Sequence, residues 1–297
     1  MQKYTLGLDI GGTKIRIGLV DNNYRVFDSK KFLFNNKNKK TVLNNIFLAI
    51  DAYDRQLIKK IGIGITGLVD PSRGISRQSP NLPRDWHDVP LKKIIEARYK
   101  IPVTVNNDVH CLALGQALAG QGKKYGTVLA LTLGTGIGAG LVINKKLFTG
   151  SINVSEFGHT TVAASSPLCS CGQRGHLEAL CSGKTISYFY HNYTGKRFAP
   201  NEIEALAKHG NPKAIKTLKT MSHWLAIGIA NAIHAYNPDV ILIGGGLSKI
   251  RSMVGPAIKS AKSRLIYPAL KATKIFPIKN LAEANVMGAA ILTEYNK

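Results

Sequence analysis

One local pattern, written twice, limits what this chain can become. "YTLGLDIGGTKIRIGLV" (4–20) and "GTVLALTLGTGIGAGLVI" (126–143) each set a β-rich run, a tight glycine turn and a second β-rich run in succession. Lying about 125 residues apart, they predict a duplicated α/β architecture. The segments between them fit. "YRVFDSKKFLF" (24–34) is a third strand, and "TVLNNIFLAIDAYDRQLIKK" (41–60) has apolar residues at helical spacing before the strand "IGIGIT" (61–66). A long loop (67–91), a short helix and the strand "PVTVNN" (102–107) lead to the helix "DVHCLALGQALAG", where Asp108 stands at the N-cap position. The second half ends in a helix over 213–236, a strand "DVILIGG" (239–245) and the helix "LAEANVMGAAILTEY" (281–295). No linker or low-complexity stretch interrupts the chain. Two lobes are therefore expected to meet at a packed hinge near 109–125, residues 1–109 with 283–297 forming one and 110–282 the other.

The glycine turns have chemistry of their own. Asp9, Gly11, Gly12, Thr13 and Lys14 gather amides, a hydroxyl and an ammonium in one reversal of the chain. Converging backbone N–H groups make an anion-binding concavity, and glycine lets a phosphate approach closely. A bare hairpin turn would look the same, but Gly134, Thr135 and Gly136 repeat the arrangement. No Gly-x-x-x-x-Gly-Lys-[Ser/Thr] occurs, which excludes a P-loop. "GTGIGA" (134–139) fits a loose dinucleotide fingerprint, yet it continues into β-like sequence where that fingerprint must open a helix. Gly245 and Gly246 follow a strand and precede a helix, where backbone can lie flat against a base or ribose.

Of the four cysteines, three fall in "CSCGQRGHLEALCSG" (169–183). No signal peptide is visible, and the longest apolar run (127–143) carries four glycines and falls short of a membrane span. A cytoplasmic protein with no membrane partner is expected, and in a reducing compartment Cys-x-Cys suits ligation better than a staple. Cys111 reads as a buried core thiol. The chain has 40 basic and 17 acidic residues, a net charge of +23. Such a balance suggests nucleic acid, but the lysines are scattered and only "KKFLFNNKNKK" (30–40) is dense, so no specific nucleic-acid partner is expected.

Taken in order, "LGLDIGGTKIRIGLVD", "NNDVHCLALG", "LTLGTGIGAGLV", "EFGH", "CSCGQRGHLEALCSG" and "DVILIGGGLS" resemble the ROK family of sugar kinases over residues 4–292. The resemblance implies the actin/hexokinase-like (ribonuclease H-type) fold, with a cleft between lobes. It also implies phosphorylation of a hexose by ATP at the 6-hydroxyl, with Mg²⁺ escorting the nucleotide, and a homodimer. N-acetylglucosamine and glucose are the expected acceptors, with fructose and N-acetylmannosamine as alternatives. Asp108 becomes the base that takes the hydroxyl proton, in competition with its reading as a helix cap. Asn107, Glu156, His159 and Glu178, with Gly67 and Asn81, grip the sugar, and Asp9 faces the metal–phosphate side. A structural Zn²⁺ is implied on His159, Cys169, Cys171 and His176, the last standing where the family carries a third cysteine; Cys181 is the alternative fourth ligand. The chain departs from the family at Thr66 (usually proline), Val109–His110 (usually Ala-Asn) and Ser155 (usually glycine). The same family includes sugar-responsive repressors, but those carry an N-terminal helix-turn-helix, and here the first phosphate strand begins at residue 4.

Overall fold

In strand β1 (Tyr4–Ile10) every residue after the first is buried, so its alternation serves two covered faces rather than a core and a surface. The computed structural model describes residues 2–150, 156–164 and 167–295; Ser155 lies outside them. β1 is central in a five-stranded sheet. β2 (Lys14–Val20) pairs with it antiparallel and β3 (Val26–Leu33) with β2. Helix α1 (Lys39–Asp51) starts where the Asn38 side chain accepts the Thr41 N–H, and buries Val42, Ile46, Ala49 and Ile50 on one stripe. β4 (Ile58–Ile65) then runs parallel to β1.

The segment expected as one long loop instead holds a hairpin, β5 (Leu68–Asp70) and β6 (Ile75–Gln78). Its turn is closed by the Asp70 carboxylate, which accepts from the Ser72 hydroxyl, the Arg73 N–H and the Arg77 guanidinium. After α2 (Leu91–Tyr99), β7 (Val103–Asn107) joins the sheet parallel to β4, and α3 (Asp108–Leu118) follows directly.

The second half comprises β8 (Thr127–Leu133), β9 (Ile137–Ile143), β10 (Lys146–Phe148), α4 (Leu177–Cys181), α5 (Gly183–Thr194), α6 (Pro200–Lys208), α7 (Pro212–Tyr236), β11 (Val240–Gly244), α8 (Arg251–Ser263) and β12 (Lys274–Pro277). The order of its sheet, β10–β9–β8–β11–β12, repeats that of the first, β3–β2–β1–β4–β7. β8, β11 and β12 run parallel, as β1, β4 and β7 do. The duplication predicted from the glycine turns is therefore present strand for strand.

The last helix, α9 (Leu281–Tyr295), returns to the first sheet. One face of that sheet carries the apolar core, with Leu6, Leu8, Ile15, Ile61 and Ile63 against Ile46 and Ile50 of α1. On the other, Gly18, Gly7 and Gly62 stand in register across three strands. A Cβ at Gly7 would fall 2.1 Å from the Val286 carbonyl oxygen, and one at Gly62 1.8 Å from that of Ala289. The glycine row is what lets α9 lie directly on the strands. By compactness the chain forms two units, Met1–Gly126 with Gly140–Ser155 and Lys279–Lys297, and Thr127–Ala139 with Glu156–Ile278. Among the described residues no helix is long and apolar enough to cross a membrane.

Candidate functional site

In the first unit the polar groups collect where β1, β4 and β7 reach their carboxyl ends, the side on which parallel sheets present ligands. Asp9, next to last in β1, is buried, with Arg16 and Gly64 as its cross-strand neighbours. Its Oδ2 accepts from Nδ2 of Asn285, 2.8 Å away on α9. Burial lifts the Asp9 carboxyl above its usual range, against opposing effects of Asn285, Lys14 and Arg16. The oxygen of the Asn285 amide is itself buried without a hydrogen-bond partner among the described residues. The turn that follows is closed by the Gly11 N–H on the Lys14 carbonyl at 3.0 Å, with Thr13 and Lys14 exposed. A side chain at Gly12 would fall 2.6 Å from the Asn81 carbonyl oxygen, so glycine lets the turn and the Asn81 loop touch.

Gly67, just beyond β4, has φ +94°, and a Cβ there would meet the Gln78 carbonyl oxygen at 2.2 Å. Its carbonyl accepts from Asn107 Nδ2 at 2.9 Å. Asn107 Oδ1 accepts the N–H groups of Val109 and His110 at 2.9 and 3.2 Å. This corrects the expected cap: Asn107, extended at φ −63° and ψ 142°, caps α3, and Asp108 is the first residue inside it. Both residue types cap well, and backbone conformation decides between them. Asp108 Oδ1 also accepts the Val109 N–H at 2.9 Å. With Oδ1 committed twice, Asn107 retains one amide hydrogen for a ligand.

In the second unit, the Gly134 N–H donates to Gly136 at 2.9 Å, and the Gly134 carbonyl accepts from the Gly183 N–H at 2.8 Å. That second bond brings the start of α5 against the turn, which the sequence reading missed. First-turn amides of a helix have no intrahelical partner and carry the positive end of its dipole, so α5 adds to the anion-binding character of Gly134–Thr135–Gly136. Glu178, at the start of α4, accepts the Ile137 N–H on Oε2 at 2.8 Å and the Ser170 hydroxyl on Oε1 at 3.3 Å. A Cβ at Gly136 would lie 2.3 Å from Oε2, so this carboxylate rests on the glycine turn. Gly245 has φ +86° and backs onto Leu133, while Gly246 faces open space.

Ser170 lies between two members of a compact donor group. His159, Cys169, Cys171 and His176 bring one ligand atom each within 4.8 Å of one another. The two Nδ1 atoms are 3.3 Å apart, Cys169 Sγ is 3.6 Å from His159 Nδ1, and Cys171 Sγ is 3.2 Å from His176 Nδ1. A tetrahedral zinc with Zn–N near 2.0 Å and Zn–S near 2.3 Å spaces its donors by about 3.3–3.8 Å, so the set fits that ion. Cys181 does not join it: buried in α4, its thiol donates to the Leu177 carbonyl at 3.3 Å, and burial raises its pKa. The other ring nitrogen of His159, Nε2, lies 3.7 Å from Glu156, whose carboxylate is largely exposed.

Residues 5–296 match the sequence profile described as the ROK family. The chain is 32% identical to the glucokinase of Thermotoga maritima, with 96% of this chain and 95% of that protein covered. It is 30% identical to the N-acetyl-D-glucosamine kinase of Salmonella newport, with 96% and 98% covered. Among solved structures, a ROK family glucokinase from Streptomyces griseus in complex with glucose and AMPPNP superposes with a TM-score of 0.85 at 30% identity, covering 97% of this chain and 98% of that one.

Proposed function

Because this chain belongs to the ROK family, we propose that it transfers the terminal phosphoryl group of ATP to the 6-hydroxyl of a hexose, glucose or N-acetylglucosamine. The observation that carries the reading is the division of roles at the head of α3. Asn107 occupies the cap position, so the Asp108 carboxylate sits inside the first turn rather than serving as the cap. Phosphoryl transfer asks a protein mainly for positioning, neutralisation of phosphate charge and an acceptor for the hydroxyl proton. Asp108 is that acceptor. The hydroxyl oxygen bonds to the terminal phosphorus, the bond from phosphorus to the ADP oxygen breaks, and the proton passes to Asp108.

The glycine turns serve the phosphates. Gly11, Gly12, Thr13 and Lys14 supply amides, a hydroxyl and a positive charge, and Gly134, Thr135 and Gly136 with the start of α5 supply amides and a helix dipole. Gly245 and Gly246 form the floor for the nucleoside. Asp9 offers the kind of oxygen that Mg²⁺ accepts beside phosphate, with Oδ2 held by Asn285 and Oδ1 remaining. Asn81, Asn107, Glu156, His159 and Glu178 are assigned to the sugar hydroxyls, with Gly67 shaping the loop.

His159, Cys169, Cys171 and His176 would hold Zn²⁺. A four-donor site is closed to substrate, so the ion would act as a structural cross-link. It would join the segment bearing His159 to the one bearing Glu178. The assignment carries with it a cytoplasmic homodimer, which light scattering checks.

An ATP-consumption assay over glucose, N-acetylglucosamine, N-acetylmannosamine and fructose, with 6-deoxyglucose as a control, tests the proposal. The expected result is fastest turnover with glucose or N-acetylglucosamine and none with 6-deoxyglucose. No consumption above the sugar-free rate with any hexose overturns it.

A further inference from the structure

We infer that Thr66 is a positioning residue for the hexose site: its hydroxyl holds the side chain of Asn81 where a sugar hydroxyl meets it. The inference rests on the assignment of Asn81 to the sugar. Thr66 directly follows β4, and its main-chain N–H donates to the carbonyl of Ile10 at 3.0 Å. Ile10 is the last residue before the first glycine turn. The Thr66 side chain works in another direction, with Oγ1 accepting from Asn81 Nδ2 at 3.3 Å. Proline, which the family pattern places here, has neither an N–H nor a hydroxyl and could make neither bond.

The surroundings of Asn81 show why this second bond matters. Its backbone is already fixed. Its N–H donates to Ser79 Oγ at 3.2 Å, its carbonyl accepts from Asn36 Nδ2 at 2.8 Å, and that carbonyl presses on Gly12. Its side-chain amide is held by Thr66 alone among the described residues. Untethered, an exposed asparagine side chain samples several rotamers and must be ordered when substrate binds. The tether leaves Oδ1 and one N–H of Asn81 for a hydroxyl pair. Thr66 therefore acts on the hexose through Asn81, while its main-chain bond supports the phosphate turn independently of the side chain.

The test is steady-state kinetics on Thr66→Val, Thr66→Ser and Asn81→Ala, and on the double variant of Thr66→Val with Asn81→Ala, using the best hexose from the panel. Valine keeps the shape and the N–H but removes the hydroxyl. Thr66→Val should raise KM for the hexose about three- to tenfold, the effect of one ordinary hydrogen bond. KM for ATP should stay within about twofold, and Thr66→Ser should restore the wild-type value. In the Asn81→Ala background the valine should add nothing. Should valine lower the melting temperature, Thr66→Ala set against Thr66→Ser makes the same comparison. An active wild type whose hexose KM ignores Thr66→Val, or the same loss with Asn81 already removed, overturns the inference alone. A wild type inactive on every hexose overturns the proposed function and this inference with it.

Discussion

Asn107 and Asp108 are adjacent, but it is Asn107 that occupies the cap position of the helix. Asp108→Asn should lower kcat by about 10²–10⁴-fold, the usual loss when a general base is removed. Hexose binding by calorimetry and the melting temperature should barely move. Asn107→Ala should do the reverse in part, costing about 1 kcal/mol of stability with the lost cap. Turnover of Asp108→Asn within about threefold of wild type would remove Asp108 from the mechanism. Asp9 makes a different prediction. Its folded pKa is raised above the ordinary 3.8 by burial. The folded state thus favours the protonated form, and this contribution is present below that value and lost as pH rises through the folded pKa. Asp9→Asn should therefore gain melting temperature relative to wild type at neutral pH, gain less near pH 4, and lose activity; an equal gain at both pH values would contradict this. The sequence offered Asp9 as a site residue but could not offer Asn285. A contact spanning 276 positions leaves no local signal.

The loop that carries the donor group is the element most open to a direct test. Elemental analysis should find about one zinc per chain, absent from His176→Ala and retained in Cys181→Ala. Stripping the metal should lower the melting temperature and raise KM for the hexose, because Ser170, between two of the donors, donates to Glu178. A metal-free preparation that is fully folded and active would dismiss the ion. Here the residue pattern was informative. Histidine at 176 stood in a cysteine's place, and the structure gathers it with the other three donors while Cys181 turns into its helix. Other elements were readable only in part. The strands around the glycine turns and helices α7 and α9 followed from periodicity. The β5–β6 hairpin did not, because three- and four-residue strands give too short a pattern and side-chain bonds of Asp70 decide the turn. The glycines inside "YTLGLDI", "IRIGLV" and "IGIGI" were a signal of close backbone approach, but sequence alone does not say which helix approaches.

For the whole molecule, the surplus of 40 basic over 17 acidic residues needs no nucleic-acid site to be compatible with the structure. Any gel retardation of DNA should be indifferent to sequence and should vanish by about 200 mM salt, as contacts to phosphate alone do. A salt-resistant, sequence-selective shift would point to a regulator instead. The repeated strand order was foreseeable from two turns of similar composition; the assignment of Gly140–Ser155 to the first unit was not, while α9 lies with strands written almost three hundred residues earlier. That arrangement bears on biosynthesis. β1 leaves the ribosome long before α9, the helix that covers its glycine row. At about 5–20 residues per second the wait is about 15–60 s. Through that interval the nascent sheet keeps one face bare. Chaperones that shield apolar strands thus have their longest opportunity on this face, and a stop codon before Leu281 would leave it uncovered for good.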